Sequence, residues 1–578
     1  MKPVAIRRRS GLPGAHAWPA DMHPLLVRVY ASRGLAPADV AHRRLADLVA
    51  PSALGGVGLA CEILADAITN GHRICVVGDF DCDGATGTAV AVRGLRMLGA
   101  CDVGYRVPNR ARDGYGLSAS LVASLAEPAP ELIITVDNGI ASHAGVAAAH
   151  ARGMRVVVTD HHLPGPTLPE ADAIVNPNSP GDTFPSKSLA GVGVMFYLLL
   201  ALRAHLRVSG AFAADNVAEP DLSTLLDLVA LGTVADLVPL DINNRILVEA
   251  GIKRIRAGRC CAGISALYTA AGRDVTRAVA SDLGFAIGPR INAAGRLDDM
   301  GVGIECLLTD DPTRALTLAG QLSSINAQRQ DLQSTMVDQA ETMVAGFLNR
   351  HRDDSLPHGI VLYEPDWHPG VVGLVASKLK ERLNRPVIAC APAEEGSMEL
   401  RGSARSIAGF HLRDALAEVD VGCPGLITRF GGHAMAAGLT ISMENLPRFA
   451  AEFDVVARRR LDADMLEQCV WSDGELRGSD FTVEAAHVLR YAVPWGQGFA
   501  EPAFDNLFDV QSWRAVGERH LKLSLRLPGG TELFEAIMFN AVEMMPPPSR
   551  LRAVYQLDLN EWNGRVRLQL LVRHIEAI

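Results

Sequence analysis

Several things are scarce in this chain, and each scarcity narrows its class. Aromatic residues make up only 5 % of 578 residues, so an aromatic side chain on the surface would be notable. The ten cysteines form no C-x-x-C pair, and the one close pair, Cys260-Cys261, is adjacent in sequence. That excludes a zinc knuckle or a dithiol redox centre and leaves reduced thiols in a reducing compartment. No uninterrupted apolar run approaches the ~18–20 residues needed to cross a bilayer, so no membrane contact is expected. A surplus of positive charge is missing too. The net charge of −10 argues against broad binding of duplex DNA by a basic surface. It leaves room for a nucleic-acid enzyme, because a metal site built of carboxylates is itself acidic and phosphate contacts can be local. Arg7-Arg8-Arg9 is followed by Ser10-Gly11-Leu12-Pro13-Gly14 rather than an apolar core. It reads as a surface basic segment of a cytoplasmic protein, not as a twin-arginine signal.

What is present is the ordinary substance of globular proteins, 48 % hydrophobic and 21 % charged, in a chain too long for one core. Residues 1 to about 70 read as loops with helices over Asp39–Leu48 and Gly56–Asn70. From about 73 to 160 strands alternate with helices over Ala85–Leu98, Ser118–Ala126 and His143–Arg152, which predicts βαβ units and a parallel sheet. Pro/Gly-rich loops at 163–187 lead to apolar helices at Val192–His205 and Leu222–Leu231. Asp310-Asp311-Pro312 announces a long helix, with Leu318, Leu322, Ile325, Leu332, Met336, Met343 and Phe347 at helical spacing. It is expected to join two lobes. A second α/β pattern starts at Ile360–Tyr363. From Val470 short strands alternate with turns, at Leu521–Leu527, Leu533–Phe539, Ala553–Leu559 and Val566–Val572, as in a small OB-type barrel.

The chemistry gathers where strands run out. Cys75-Val76-Val77-Gly78 runs into Asp79-Phe80-Asp81-Cys82-Asp83-Gly84, Leu132–Val136 into Asp137-Asn138-Gly139, and Met154–Thr159 into Asp160-His161-His162. In a parallel sheet ligands bind beyond the carboxyl ends of strands. Taken singly, a D-x-D is more often a turn or helix cap and a histidine pair more often surface. Three successive strand ends delivering Asp or His are poorly explained that way. Carboxylate and imidazole donors without thiolates suit Mn²⁺ or Mg²⁺. Two such ions ~3.5–4 Å apart activate a water and stabilise the leaving oxygen at phosphorus. Asp81 and Asp83 can face one cavity, Asp79 adds a third carboxylate, and Asp137 is the expected bridge. His161 is expected on metal and His162 on phosphate, with Asp160 orienting a histidine from behind.

This set resembles the DHH phosphoesterase superfamily and, within it, the single-strand-specific exonucleases of the RecJ family. The resemblance extends through Tyr105–Arg110 with Gly114–Leu117, Ala230–Asp236, Gly288–Arg296, Trp367–Gly373, Gly402–Ser406 and Gly431–His433, in consistent order from about residue 70. It implies an α/β fold with these divisions: an N-terminal segment over 1–70 packed on the catalytic domain, a parallel-sheet DHH catalytic domain over 71–309, a linker helix over 310–350, a DHHA1 domain over 351–468, and an OB-fold single-strand-binding domain over 469–578. It implies two metal ions on Asp81, Asp83, Asp137, His161 and Asp236, with Asp227 the weaker alternative to Asp236 and Asp79 supporting from outside. Phosphate or DNA contacts would come from Arg110, Arg290, Asn292, Arg296, Ser403, Arg405 and His433, since arginine forks suit phosphate oxygens. One departure is Cys82, where a small residue such as alanine is expected, which raises oxidation sensitivity. In the last domain Trp495 is a candidate for stacking on bases, with domain packing at least as good a reading, and Lys522, Arg526, Arg565 and Arg567 are candidates for a basic groove.

The implied activity is hydrolysis of single-stranded DNA from a free 5′ end to mononucleotides, in recombination and repair, with a single-strand-binding protein and a RecQ-type helicase as partners and a monomeric enzyme. A strand threaded between the catalytic and DHHA1 lobes would exclude duplex by width. The nearest rival is a DHH phosphodiesterase of short oligonucleotides or cyclic dinucleotides. A rival of another class, a catalytically idle nucleic-acid scaffold, is disfavoured because every inferred ligand is present.

Overall fold

The computed structural model describes all residues except 1–3, 12–16, 41–43, 109–114, 215–217, 351–356, 395, 463 and 563. Its contacts divide into two units, one of Arg8–Ile325 with Trp471–Ile578 and one of residues 1–7 with Asn326–Val470.

The first unit is built on strands β1 (Ile74–Val77), β2 (Val103–Arg106), β3 (Leu132–Val136), β4 (Arg155–Thr159) and β5 (Ala173–Val175). All pairings are parallel and the order is β2-β1-β3-β4-β5. β1 and β3 are buried along their whole length, as expected of strands covered on both faces. The chain leaves β1 on one side to form β2 and crosses to the other for β3. The crevice at the carboxyl ends of β1 and β3 is therefore the switch point at which such sheets bind ligands.

Helix α1 (Cys82–Met97) follows β1 directly, and α2 (Gly191–Val208) packs across it. A Cβ on Gly94 would lie 2.3 Å from the Leu199 side chain, so glycine permits this approach. By length and composition α2 is the one helix among the described residues that suits a bilayer, although Arg203, His205 and Arg207 interrupt its apolar run. Its residues Gly191–Leu199 are all buried inside the unit. Helix α3 (Leu226–Ala235) completes the layer. Helix α4 (Gly288–Leu297) is entered through a π-helical turn, Leu283–Ile287.

In the same unit, β11 (Phe504–Val516), β12 (His520–Arg526), β13 (Leu533–Met538), β14 (Arg550–Trp562) and β15 (Arg565–Ala577) close a barrel in the order β11-β12-β13-β15-β14. Its interior, including Phe504, Phe508 and Tyr555, is continuous with the apolar core under the parallel sheet. Helix α5 (Pro312–Arg350) starts in this unit and ends in the other, with Asp311 accepting from the Thr313 amide at its first turn. Leu332, placed on its apolar stripe by spacing, is exposed.

The second unit holds β6 (Ile360–Tyr363), β7 (Val387–Pro392), β8 (Glu399–Arg405), β9 (Arg429–Gly432) and β10 (Ala436–Ser442), in the order β9-β10-β8-β7-β6. Its separate core includes Phe410, Phe449 and Phe453.

Two expectations near the N-terminus change. Among the described residues of 39–48 the helix is not continuous, since Arg44 is extended. A four-residue helix at Pro37–Val40 and a 3-10 turn at Leu45–Asp47 stand there, with Asp39 and Asp47 accepting the amides of Ala36 and Arg44. Nor is the arginine run simply a solvated surface. Arg8 reaches buried Asp505 at 2.7 Å, and Arg9 and Arg33 reach buried Asp473 at 3.3 and 2.8 Å.

Candidate metal centre

The residues after β1 form a tight turn into α1. Asp81 is the N-cap of that helix, its carboxylate accepting the Gly84 amide at 3.0 Å. Asp83 lies in the first turn and is buried. Its two oxygens accept the amides of Gly191 and Val192 at 2.6 and 2.9 Å, so the orphan donors at the N-terminus of α2 hold this carboxylate. The D-x-D pattern is thus a helix cap and a cluster member at once. Asn292 of α4 accepts the Cys82 amide at 2.7 Å and fixes the turn from behind.

Beyond β3, Asp137 adopts the left-handed conformation with φ 62°, uncommon for a residue with a Cβ. Its amide donates to Thr159 O at 3.1 Å. A Cβ on Gly191 would lie 2.5 Å from that of Asp137, so only glycine lets the α2 N-terminus this close. Beyond β4, Asp160 turns away from the cluster. Its Oδ1 accepts the amides of His161 and His162 and the His162 ring Nδ1 at 2.7 Å, and its Oδ2 accepts the Ile140 amide at 2.9 Å. His161 Nε2 lies 3.0 Å from Asp137, 3.5 Å from Asp236 and 4.0 Å from Asp83. Asp236 arrives at the C-cap of α3, just before left-handed Leu237.

Three overlapping groups have their ligand atoms within 4.8 Å of one another: Asp79 with Asp81 and Asp137, Asp83 with His161 and Asp236, and Asp137 with both histidines. Asp137 belongs to two of them, so it stands between two candidate cation positions. Asp79, which the strand-end pattern puts in the cavity as a third carboxylate and the resemblance puts behind the ligands, belongs to one of these groups. Asp227 is elsewhere, accepting the Cys261 amide at 2.7 Å.

The electrostatics favour a cation. Burial raises Asp83 to about 7, with Asp81 adding to it and the two α2 amides opposing. Burial and neighbouring carboxylates likewise hold Asp137 and Asp236 well above the usual range. Buried carboxylates this close cannot all ionise without positive charge among them. Asp137 Oδ1 and Asp236 Oδ2 are buried and accept no hydrogen bond. Buried oxygens are rarely left so, and a metal ion is one of the partners that satisfies them. The donors are oxygen and imidazole nitrogen, which fits Mn²⁺ or Mg²⁺. For His162, burial works downward, but the Asp160 hydrogen bond and the fields of Asp160, Asp79 and Asp81 raise it to about 9. Cys82 is buried, and burial, then Asp81, Asp83 and Asp236, raise its thiol far above thiolate formation at neutral pH. Oxidation sensitivity is therefore not expected of it.

The expected phosphate contacts divide. Arg110 lies outside the described residues. Arg290 is half-buried, its Nε donating to Ser323 at 3.0 Å and its Nη1 to Ala286 O, which ties it to the protein. Arg296 follows on the same helix, partly exposed. In the second unit, Ser403 and Arg405 share one face of β8, the guanidinium donating to the hydroxyl at 3.1 Å. A Cβ on Gly373, in α6 (Val372–Leu383), would lie 2.8 Å from Ser403 Oγ and 2.9 Å from Arg405, so glycine gives that pair its room. His433 occupies the β9–β10 turn, beside the edge that carries Arg405 opposite Ala436.

Trp495 corrects its candidacy for base stacking. It is 6 % exposed, stacks on Phe499 at 4.9 Å and donates its indole N–H to Leu489 O. An apolar ring with a satisfied N–H is a packing residue here. Lys522, a groove candidate, is paired with Glu535 at 2.9 Å.

Three family models match in order: the DHH family, N-terminal domain, at 73–233; the DHHA1 domain at 357–458; and the RecJ OB domain at 472–574. The chain is 53 % identical to the single-stranded-DNA-specific exonuclease RecJ of Dickeya dadantii (strain 3937), covering 96 % of each chain. It is 51 % identical to that of Escherichia coli (strain K12), covering 100 % of each. Among solved structures, RecJ from Thermus thermophilus in complex with Mn²⁺ superimposes with a TM-score of 0.78 at 31 % identity, covering 100 % of this chain and 80 % of that one. The Mg²⁺ complex of the same protein gives 0.74 at 30 %, covering 100 % and 79 %. With this identity sustained from end to end, the chain belongs to the RecJ family of DHH proteins.

Proposed function

We propose that the chain is a Mn²⁺/Mg²⁺-dependent exonuclease that degrades single-stranded DNA by phosphodiester hydrolysis. The observation that carries this is the cluster at the β1/β3 switch point, where Asp137 joins two ligand groups and buried carboxylate oxygens lack donors. Divalent ions held there would supply an activated water and neutralise charge developing at the scissile phosphate. The chain's own residues do the rest. Asp79, Asp81, Asp83, Asp137, Asp236 and His161 would hold the ions. Asp160 fixes the His162 ring through Nδ1–H, which turns Nε2 outward as a donor. The Asp160 hydrogen bond favours the protonated ring, and an imidazole N–H so held would stabilise the added negative charge on phosphate.

The finer reading follows the family: 5′→3′ direction from a free 5′ end, mononucleotide release, recombination and repair in the cytoplasm beside a single-strand-binding protein and a RecQ-type helicase, and a monomer. Arg110, Arg290, Arg296, Ser403, Arg405 and His433 are proposed to meet backbone phosphates.

The test is digestion of a long single strand labelled at either end, with Mn²⁺ and with chelator. Loss of label as mononucleotide from the 5′ end alone, only with metal, is the expected result; release from the 3′ end overturns the polarity. D137A should abolish hydrolysis and leave strand binding measurable. The rival phosphodiesterase reading is tested on the intact chain, because the barrel shares its core with the catalytic sheet. Equal turnover of dinucleotides and long strands would favour the rival.

A further inference from the structure

We propose that Tyr115 is a positioning residue, which holds the three strand ends of the metal centre in register through its hydroxyl. It comes from the segment after β2, a strand that supplies no member of the cluster. Its hydroxyl donates to the main-chain carbonyl of Asp137 at 3.0 Å. Its ring meets Phe80 edge-on at 5.8 Å and His162 edge-on at 6.0 Å. Phe80 lies between Asp79 and Asp81, and His162 is next to His161. One side chain thereby touches the loops beyond β1, β3 and β4, which between them carry every cluster member except Asp83 and Asp236.

The hydroxyl acts at the strained point. Asp137 sits at φ 62°, a conformation that residues with a Cβ avoid. Its peptide is held at the N–H by Thr159 O and at the carbonyl by Tyr115. The following Asn138 is anchored through its amide to Val77 O and Val136 O at 3.0 and 2.9 Å. Removing the Tyr115 hydroxyl frees the carbonyl of the residue whose carboxylate belongs to two of the three ligand groups. The direction of that carboxylate, and with it the spacing of the two cation positions, then loses a restraint. This inference rests on the metal reading above, but D137A tests the centre itself while Y115F tests only its geometry.

The experiment is titration of the full-length, chelator-stripped protein with Mn²⁺ alone, followed by calorimetry, for wild type, Y115F and Y115L. Y105F is the control, since that hydroxyl bonds Glu305 at 2.9 Å on the sheet edge. Loss of one neutral hydrogen bond weakens Mn²⁺ binding by about two- to tenfold in Y115F, with Y105F unchanged. With Mn²⁺ saturating, kcat of Y115F returns to the wild-type value and KM for a single strand stays the same. Melting in chelator falls by no more than one lost hydrogen bond allows, about 1–2 °C in a chain of this size. Unchanged Mn²⁺ affinity in Y115F overturns the proposal. So does equal weakening in Y105F, weakening in Y115L without any in Y115F, or a fall in melting temperature with no change in Mn²⁺ affinity.

Discussion

Replacing Asp137 by asparagine separates the stability of the empty centre from its affinity for cations. The substitution keeps shape and removes one charge from the residue shared by two ligand groups. Asparagine tolerates the left-handed region, so φ 62° adds no new strain. Asp83 gives the scale of the electrostatic penalty: it is raised to about 7 although two amides stabilise its charged form. At ~1.4 kcal/mol per pKa unit, keeping such a carboxylate charged at pH 8 costs about 4 kcal/mol. Burial accounts for the largest part of that and remains for the other carboxylates, so D137N recovers the smaller part that comes from repulsion among them. In chelator at pH 8 the variant should therefore melt above wild type. Added Mn²⁺ reverses the order. At a concentration a hundredfold over its Kd, a ligand stabilises by ~2.7 kcal/mol, a gain that D137N should largely lose. The assay is paired thermal melts with chelator and with Mn²⁺, alongside hydrolysis of a labelled strand. A D137N protein that melts below wild type in chelator, or that gains the full Mn²⁺ shift, refutes the reasoning.

Three further outcomes are expected. Asp505 is fully buried and receives Arg8, Arg552 and Ser472 at 2.7, 2.6 and 2.5 Å, so D505A costs about 3 kcal/mol in urea unfolding, the low end for a broken buried pair because Arg8 is partly exposed. Burial raises that carboxyl, but these hydrogen bonds outweigh it and hold it below its usual value; its contribution is present above about pH 4 and lost as pH falls further, so the wild-type–D505A gap should close in acid. For the metal centre the sign is opposite. With Asp83 raised to about 7, the folded empty protein keeps protons that the unfolded chain has lost above about pH 4. Its stability falls as pH rises through that interval, and Mn²⁺ must displace those protons, so the Mn²⁺-induced rise in melting temperature should be larger at pH 8 than at pH 6 and a flat profile would contradict this. Finally, W495F should lower stability through the lost N–H bond to Leu489 O and poorer packing, while the folded protein keeps its single-strand affinity within about twofold; a large affinity loss with unchanged stability would restore the stacking role.

Much of the centre was legible because its geometry is local. A buried strand in a parallel sheet must end at the same edge as its neighbours, so Asp79, Asp81, Asp137 and the Asp160–His162 run were bound to converge once β1, β3 and β4 were recognised. Asp236 comes from a helix end far along the chain, and only the motif resemblance pointed to it. For Asp79 the strand-end pattern and the resemblance point to different places, because sequence position does not say which carboxylate of a tight turn faces inward. Trp495 was read two ways for a related reason: an aromatic in a Pro/Gly-rich segment can pack or stack, and only its satisfied N–H and burial distinguish these. Arg8 and Arg9 read as solvated in sequence because their acceptors, Asp505 and Asp473, lie more than 460 residues away.

By itself the sequence determined the alternation of strands and helices, the chemical type of the donors and their delivery to one sheet edge, since burial periodicity and ligand chemistry are properties of short segments. Only the tertiary structure decided the strand order that makes β1 and β3 the switch point, the capture of Asp83 by the α2 N-terminus, the left-handed Asp137 and the three contacts of Tyr115. Those depend on which distant segments meet. That is set by packing of the whole core, where glycines at 94 and 191 permit approaches that no local pattern encodes.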